Sequence, residues 1–262
     1  MKKRIRKNHI SKAKNIKKET KDKKVMPIKL ITINIEGNKH LDKIIPFIKK
    51  EKPDVLCVQE VFLQDLKKLK EASGLEGWFM PCYKKDSTQA NIPKGEEVIE
   101  GIALLTNLPN RGVKTYYLKK KHLRTYKDFT KVPRGIIQIT IISEQKEYNI
   151  ATTHYTWTPN GEINKNQKED FKKLLKFTRQ FSGLILCGDF NAPRGREMFS
   201  KFTDHFKDNL PPEIDTTIDS DIHRKGLKLV VDTIFSTPHY KVSNVRVVGD
   251  VSDHKAVIGY IE

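Results

Sequence analysis

Short, uninterrupted apolar runs recur along this chain, and run after run stands beside an acid, an amide or an imidazole. Leu30–Ile33 leads into Asn34, Val55–Val58 into Gln59 and Glu60, and Leu229–Val231 into Asp232. Leu184–Cys187 leads into Gly188-Asp189-Phe190-Asn191, and Ser252-Asp253-His254 stands just before the run Ala256–Ile261. Runs of this length, rich in Ile and Val, are strand-forming. The polar residue beside each run therefore sits where a loop leaves or enters a sheet.

Helical patterns separate the first runs. Leu41, Ile44, Ile45 and Ile48 share one stripe of a helix expected over 39–50, and Pro53-Asp54 closes that connection. A second helix over about 64–72 stops at Gly74, a natural C-terminal glycine. Strand-like runs follow near 78–83, 99–106, 113–118, 135–142 and 148–153. Gln167, Phe171, Leu174, Leu175, Thr178 and Phe181 recur at three- and four-residue spacing, which predicts a helix over 164–181. Strands over 184–187, 230–235, 242–248 and 256–261 complete the chain, and the polar stretch 84–97, with Pro93 and Gly95, reads as a surface loop. Without repeats or an internal linker, the expectation is one domain over 27–262, two sheets packed face to face with helices outside.

Charge is unevenly placed. The chain of 262 residues carries a net +18, and residues 1–25 alone contribute +10 from twelve Lys/Arg and two Asp/Glu. This stretch, 1–26, has no apolar periodicity and reads as a disordered basic tail. Such a tail raises affinity for any polyanion through counterion release, without sequence preference. The plainer readings are a solubilising or mispredicted extension, with Met26 as an alternative start. Cys57 and Cys187 lie inside apolar runs, as small buried hydrophobes do, and no cysteine has zinc-site spacing. No stretch approaches the roughly 18 uncharged residues of a membrane helix, and no apolar segment of a secretory signal follows the basic start. The expectation is a reduced, cytoplasmic protein with no integral membrane segment and no inferable protein partner.

The polar residues are those that hydrolysis of a phosphate ester requires: oxygen ligands for a divalent ion, an activator of water and a charge that stabilises the leaving oxygen. Glu60 is the leading metal ligand, since a carboxylate directly after an apolar strand is costly unless a site uses it; an ordinary surface Glu is the plain alternative. Asp189 and Asn191, two apart, point to one side of an extended segment, although an Asx turn also suits them. A carboxylate from Asp232 on His254 would orient the ring and raise its pKa. Taken singly, each residue has a capping or turn explanation; taken as a set, they do not.

Asn34, Gln59-Glu60, Thr153-His154, Gly188-Asp189-Phe190-Asn191, Asp232 and Ser252-Asp253-His254, in that order, resemble the endonuclease/exonuclease/phosphatase, DNase I-like family, from about Ile28 to Ile261. The resemblance implies a four-layered α/β sandwich of two packed mixed β-sheets flanked by helices. It implies Mg²⁺ or Mn²⁺ at Glu60, with Asn34 and Asp253 nearby. Asp189 would position or deprotonate the attacking water, and Asn191 and His154 would contact the phosphate. His254, oriented by Asp232, would stabilise the transition state or act as acid or base. Ile33 stands where many relatives carry an aromatic residue, and Val61-Phe62 replaces the Thr-Lys of abasic-site endonucleases. Asn34-Ile35-Glu36-Gly37 is similar to the matching stretch of tyrosyl-DNA phosphodiesterases.

Arg134, entering a strand after Pro133, is either a phosphate contact or a surface residue. Tyr155–Asn160 offers a rim on which bases could stack, while Trp157 by itself reads as core, and 119–124 as a solvated basic loop. His40, His205, His223 and His239 carry no motif. The expected function is a divalent-metal-dependent phosphodiesterase whose partner is a nucleic acid substrate. A family phosphoesterase acting on a phospholipid or inositol phosphate, and an inactive nucleic-acid-binding module, are the alternatives.

Overall fold

The apolar runs become strands, except that Leu229–Val231 precedes its strand, which begins at Asp232, and burial on both faces explains why they are uninterrupted. A computed structural model describes residues 26–262 except Ala90, Asn91, Gln145 and Arg224; the expected basic tail lies outside the described residues. One sheet contains β1 (Ile28–Asn34), β2 (Val55–Phe62), β3 (Gly77–Asp86), β4 (Glu97–Thr106), β11 (Val242–Val248) and β12 (Ala256–Ile261), in the order β11-β12-β1-β2-β4-β3. The other contains β5 (Asn110–Tyr117), β6 (Gly135–Ser143), β7 (Lys146–His154), β8 (Ile185–Asp189), β9 (Lys207–Asp208) and β10 (Asp232–Ser236), in the order β5-β6-β7-β8-β10-β9. Each sheet is mixed: β1 pairs with β2 and β7 with β8 in parallel, and the remaining pairs are antiparallel.

Alternate residues of each strand serve different layers. Leu30, Val55, Cys57 and Leu104 meet Ile137, Ile139, Ile150, Cys187 and Ile234 between the sheets. Ile31, Ile33, Leu56 and Val58 face outward onto α1 (Leu41–Glu51) and α2 (Leu66–Ser73) through Ile44, Phe47, Ile48 and Leu69. On the far side, Ile136, Ala151, Leu186 and Phe235 receive α3 (Lys165–Thr178) and α4 (Glu197–Thr203). The result is the expected α/β sandwich of four layers. Each fully buried Leu, Ile or Phe contributes about 1.5–3 kcal/mol.

Helix α4 was not legible in the sequence, because seven residues give too little periodicity. An aromatic cluster holds it: Phe202 stacks on Phe235 at 5.5 Å and meets Phe190 edge-on at 4.9 Å. The expected loop 84–97 is a correction. Strand β3 continues to Asp86 and β4 begins at Glu97, so the connection is shorter and Lys84, Lys85 and Asp86 are sheet residues. The basic stretch 119–124 is largely exposed as expected, except that Lys119 pairs with buried Asp170 at 2.8 Å. No helix among the described residues is long and apolar enough to cross a membrane.

Strand direction gathers the polar ends. Because β7 and β8 are parallel, their last residues, His154 and Asp189, are neighbours. Because β10 runs opposite to β8, its first residue, Asp232, pairs with the same Asp189. In the other sheet Asn34 ends β1 beside Gln59 of β2. Gln59 joins the two layers, donating to Thr32 Oγ1 at 3.2 Å in its own sheet and to Thr152 Oγ1 at 3.0 Å across the core. Gly188, at φ +136°, lets β8 pass close to β7; a Cβ there would lie 1.9 Å from the Thr153 carbonyl oxygen.

Candidate active site

Glu60 reaches the site through a break in the ladder. Between Val58 and Val61 strand β2 carries one more residue than its partner β4, and Glu60 sits in this bulge at φ +56°. A bulge re-aims a side chain that regular pleating would send elsewhere. The left-handed backbone, rare outside glycine, places strain at a functional position.

Asn34, Glu60, His154, Asp232 and His254 converge around Asp189. Asn34 Nδ2 donates to Asp189 Oδ2 at 3.1 Å and to Glu60 Oε1 at 3.3 Å, while Asn34 Oδ1 accepts from the Glu36 N–H at 3.1 Å. Its amide thus presents N–H groups, not oxygen, to the two carboxylates. His154 Nε2 lies 3.4 Å from Asp189 Oδ2 and 4.0 Å from Glu60 Oε1. On the other side His254 Nε2 lies 4.0 Å from Asp189 Oδ2, and its Nδ1 meets Asp232 Oδ2 at 2.9 Å. Asp232 is held in turn by β10, its own N–H donating to Thr217 Oγ1 at 3.0 Å.

The two imidazoles face opposite electrostatics. Arg134 is not the surface residue that one reading allowed: it is 4% exposed, and Nη1 donates to His154 Nδ1 at 2.9 Å. A guanidinium can only donate, so Nδ1 of His154 accepts and its proton is carried on Nε2, toward the carboxylates. Burial, reinforced by Arg134, holds His154 well below the ordinary histidine range. For His254 burial acts in the same direction but is outweighed by Asp232 and Asp189, which push it well above that range. One ring is therefore a neutral donor and the other a cation.

The acids divide similarly. Burial, with Asp232 beside it, raises Asp189 to about 7. Burial raises Asp253 to about 6, and Glu36 and Glu60 add to the effect. Glu60 goes the other way: burial raises it, but Lys85, His154 and Arg134 together hold it below the usual carboxylate range. Lys85 was missed in the sequence because it was assigned to a loop. Its ammonium lies 3.4 Å from Glu60 Oε2 and against fully buried Glu100. Glu36 was missed too; with His40 and Asp253 it forms a group of ligand atoms lying within 4.8 Å of one another, as do Asp189, Asp232 and His254. The left-handed Glu36, at φ +47°, follows Asn34 by two residues, the one signal that its placement is unusual.

Asn191, also left-handed at φ +47°, closes an Asx turn: its N–H donates to Asp189 Oδ1 at 2.8 Å. Its side-chain amide donates to the Tyr155 carbonyl at 3.0 Å, which leaves one amide hydrogen for the cleft. Glu36, Glu60, Lys85, Arg134, His154, Asp189, Asn191, Asp253 and His254 line one cleft of about 660 Å³. Trp157, expected in the core, is instead 39% exposed on the cleft wall, because buried Thr156 and Thr158 on either side take the inward positions.

Three acids, Glu36, Glu60 and Asp253, act on one another electrostatically at this end of the sheets. Oxygen donors crowded in this way suit a hard divalent cation and offer nothing to a soft one. The donor set therefore fits Mg²⁺ or Mn²⁺.

Comparison with known proteins agrees with this architecture. A stretch of 164 residues is 29% identical to Nocturnin from Drosophila melanogaster, covering 60% of this chain and 24% of that protein, so the match spans about a quarter of the relative's length. The human Nocturnin catalytic domain with bound sulfate superposes at a TM-score of 0.68 and 21% identity, covering 90% of this chain and 93% of that one. An endonuclease/exonuclease/phosphatase from Bacteroides vulgatus gives 0.70 at 15% identity, covering 90% and 98%. The profile of the Endonuclease/Exonuclease/phosphatase family, whose members hydrolyse phosphoesters, matches residues 31–254, most of the chain, and the chain belongs to that family.

Proposed function

We propose that the protein is a divalent-metal-dependent phosphodiesterase acting on nucleic acid. The observation that carries the reading is Asp189, a buried carboxylate raised to about 7 and set between a neutral imidazole and a charged one. A general base works best when its pKa lies near the operating pH. Asp189 takes a proton from the attacking water as oxygen bonds to phosphorus, and the bond to the leaving oxygen breaks. His254, kept cationic by Asp232, faces the charge that develops on the phosphoryl and leaving oxygens. His154 donates from Nε2 to a phosphate oxygen, and Arg134 sets that tautomer. The remaining amide hydrogen of Asn191 serves the same group. Glu60 and Asp253, with Glu36 beside them, would hold Mg²⁺ or Mn²⁺, while Asn34 spans Glu60 and Asp189 as a donor. The ion would neutralise the phosphoryl oxygens.

Two further observations support the setting. Cys57, Cys82 and Cys187 are free and buried, as suits a reducing, cytoplasmic compartment. The cleft also presents Lys39, Lys85 and Arg196, cations suited to a polyanion.

The test is incubation with end-labelled single-stranded DNA, duplex DNA, abasic DNA and RNA in Mg²⁺, Mn²⁺ or EDTA. Cleavage should require the metal and fall by roughly 10²–10⁴ in Asp189→Asn and in His254→Ala. Cleavage that survives in both variants would belong to a contaminant. Turnover of inositol phosphates or phospholipids alone would retain the reaction and replace the substrate.

A further inference from the structure

Among the described residues, Trp157 is the only Phe, Tyr or Trp that is exposed rather than buried or half-buried. It is not on a loose loop. Tyr155 N–H donates to the Asp189 carbonyl at 2.8 Å, and Gln167 Nε2 donates to the Thr156 carbonyl at 2.8 Å and the Asn191 carbonyl at 3.3 Å. Thr156 Oγ1 also bonds the buried Asp170 carboxylate at 2.5 Å. The backbone that presents the indole is therefore tied to the loop carrying Asp189 and Asn191. A large apolar ring held rigidly in water, at a fixed offset from the reacting centre, is a preorganised platform.

Beside it stands an uncommitted cation. Gly161, at φ +66°, leaves room for the Arg196 side chain, whose Nη1 lies 3.0 Å from where a Cβ on Gly161 would sit. Of the other cations on the cleft wall, Lys39 is paired with Glu36, Lys85 with Glu60 and Glu100, and Arg134 is bonded to His154; Lys225 lines the cleft as well. The Arg196 guanidinium has no ion pair or hydrogen bond among the described residues. Thr158, next to Trp157 in the chain, lines the same cleft at 1% exposure, and its hydroxyl has no partner among the described residues.

We propose that Trp157, Thr158 and Arg196 form a nucleoside subsite next to the scissile phosphate, with a base on the indole and the adjoining phosphate at Arg196. A base can lie on the ring only when it is free of its neighbours in a stack, so the substrate is an unpaired nucleotide or a single strand. The inference rests on the phosphodiesterase reading and narrows it: a sugar phosphate or a phospholipid brings no aromatic base to stack on the indole.

Binding tests this without turnover. In an Asp189→Asn, Trp78→Phe background Trp157 is the sole indole, as the chain has two tryptophans. In EDTA, a short single-stranded oligonucleotide should quench its fluorescence, and an abasic strand of equal phosphate number should bind weakly with little quenching. Trp157→Ala should weaken the base-bearing strand by roughly 5- to 100-fold, the range that one lost stacking contact gives. Trp157→Phe should recover most of it, and Arg196→Gln should weaken both strands. Equal binding of the two strands, or unchanged affinity in Trp157→Ala followed by polarisation of a labelled strand, would overturn the subsite. Metal-dependent cleavage by the wild type despite that result would leave the phosphodiesterase standing. Quenching by the strand in a protein that cleaves no phosphoester would retain the subsite and remove the reaction.

Discussion

Asp189 is the residue in which burial and chemistry meet. Its carboxyl moves from an ordinary 3.8 to about 7 on folding, chiefly through desolvation and then through Asp232. Between those values the folded protein holds a proton that the unfolded chain has lost, so stability falls as pH rises and the loss is complete above about 7. Asp189→Asn should therefore melt higher than the wild type in EDTA above pH 7, with the difference vanishing below about pH 4. Melting curves of both proteins across pH would check it; parallel curves would show that Asp189 is not destabilised by its surroundings. On the proposed role of Asp189, wild-type turnover should have the opposite dependence, rising as Asp189 loses its proton. The group that weakens the fold at neutral pH is the one proposed to drive the reaction.

At the scale of elements, the pair β3–β4 carries more than its apolar residues suggest. Lys85 of β3 lies against Glu100 of β4 and reaches Glu60 in the bulge of β2, so three neighbouring strands share one charge network. Glu100 is 1% exposed, and burial, reinforced by Glu60, raises its pKa despite Lys85. Removing one partner of a buried pair leaves the other uncompensated, at about 3–5 kcal/mol, whereas removing both is often neutral. Lys85→Met should lower the unfolding free energy by an amount of that order, and Lys85→Met/Glu100→Leu should recover most of it. Denaturant unfolding of the single and double variants measures the coupling; additive losses would mean that the two charges act independently. The β2 bulge explains why the network exists. Once Glu60 is turned into the cleft, a cation behind it keeps it ionised.

Over the whole molecule, an ion held by Glu36, Glu60 and Asp253, acids at one end of a single sheet, would make metal binding and folding one equilibrium. An ion that binds only the folded state stabilises it by about 2.7 kcal/mol at 100 times its dissociation constant. For a domain of this size that raises Tm by roughly 5–10 °C. Saturating Mg²⁺ should produce such a shift, and Glu60→Gln should remove most of it; thermal scans against Mg²⁺ concentration decide, and an unchanged Tm would speak against an ion at Glu60. The residues concerned come from β1, β2 and the turn before β12, which meet only because parallel and antiparallel pairings bring those strand ends to one edge. That edge was legible in the sequence. Uninterrupted Ile- and Val-rich runs can be hidden only in sheets covered on both faces, and the polar residue beside each run falls at a strand end whatever the topology. Asn34, Glu60, His154, Asp189, Asn191, Asp232, Asp253 and His254 were read in that way, and burial and side-chain direction belong to the tertiary structure. It set Arg134 against His154, gave Asn34 the part of an N–H donor between Glu60 and Asp189, and moved Trp157 from the core to the cleft. It also brought Lys85 and Glu36 into the site. A run of apolar residues specifies its own strand locally, whereas the direction of a side chain at a bulge or a left-handed turn is fixed by neighbours remote in sequence.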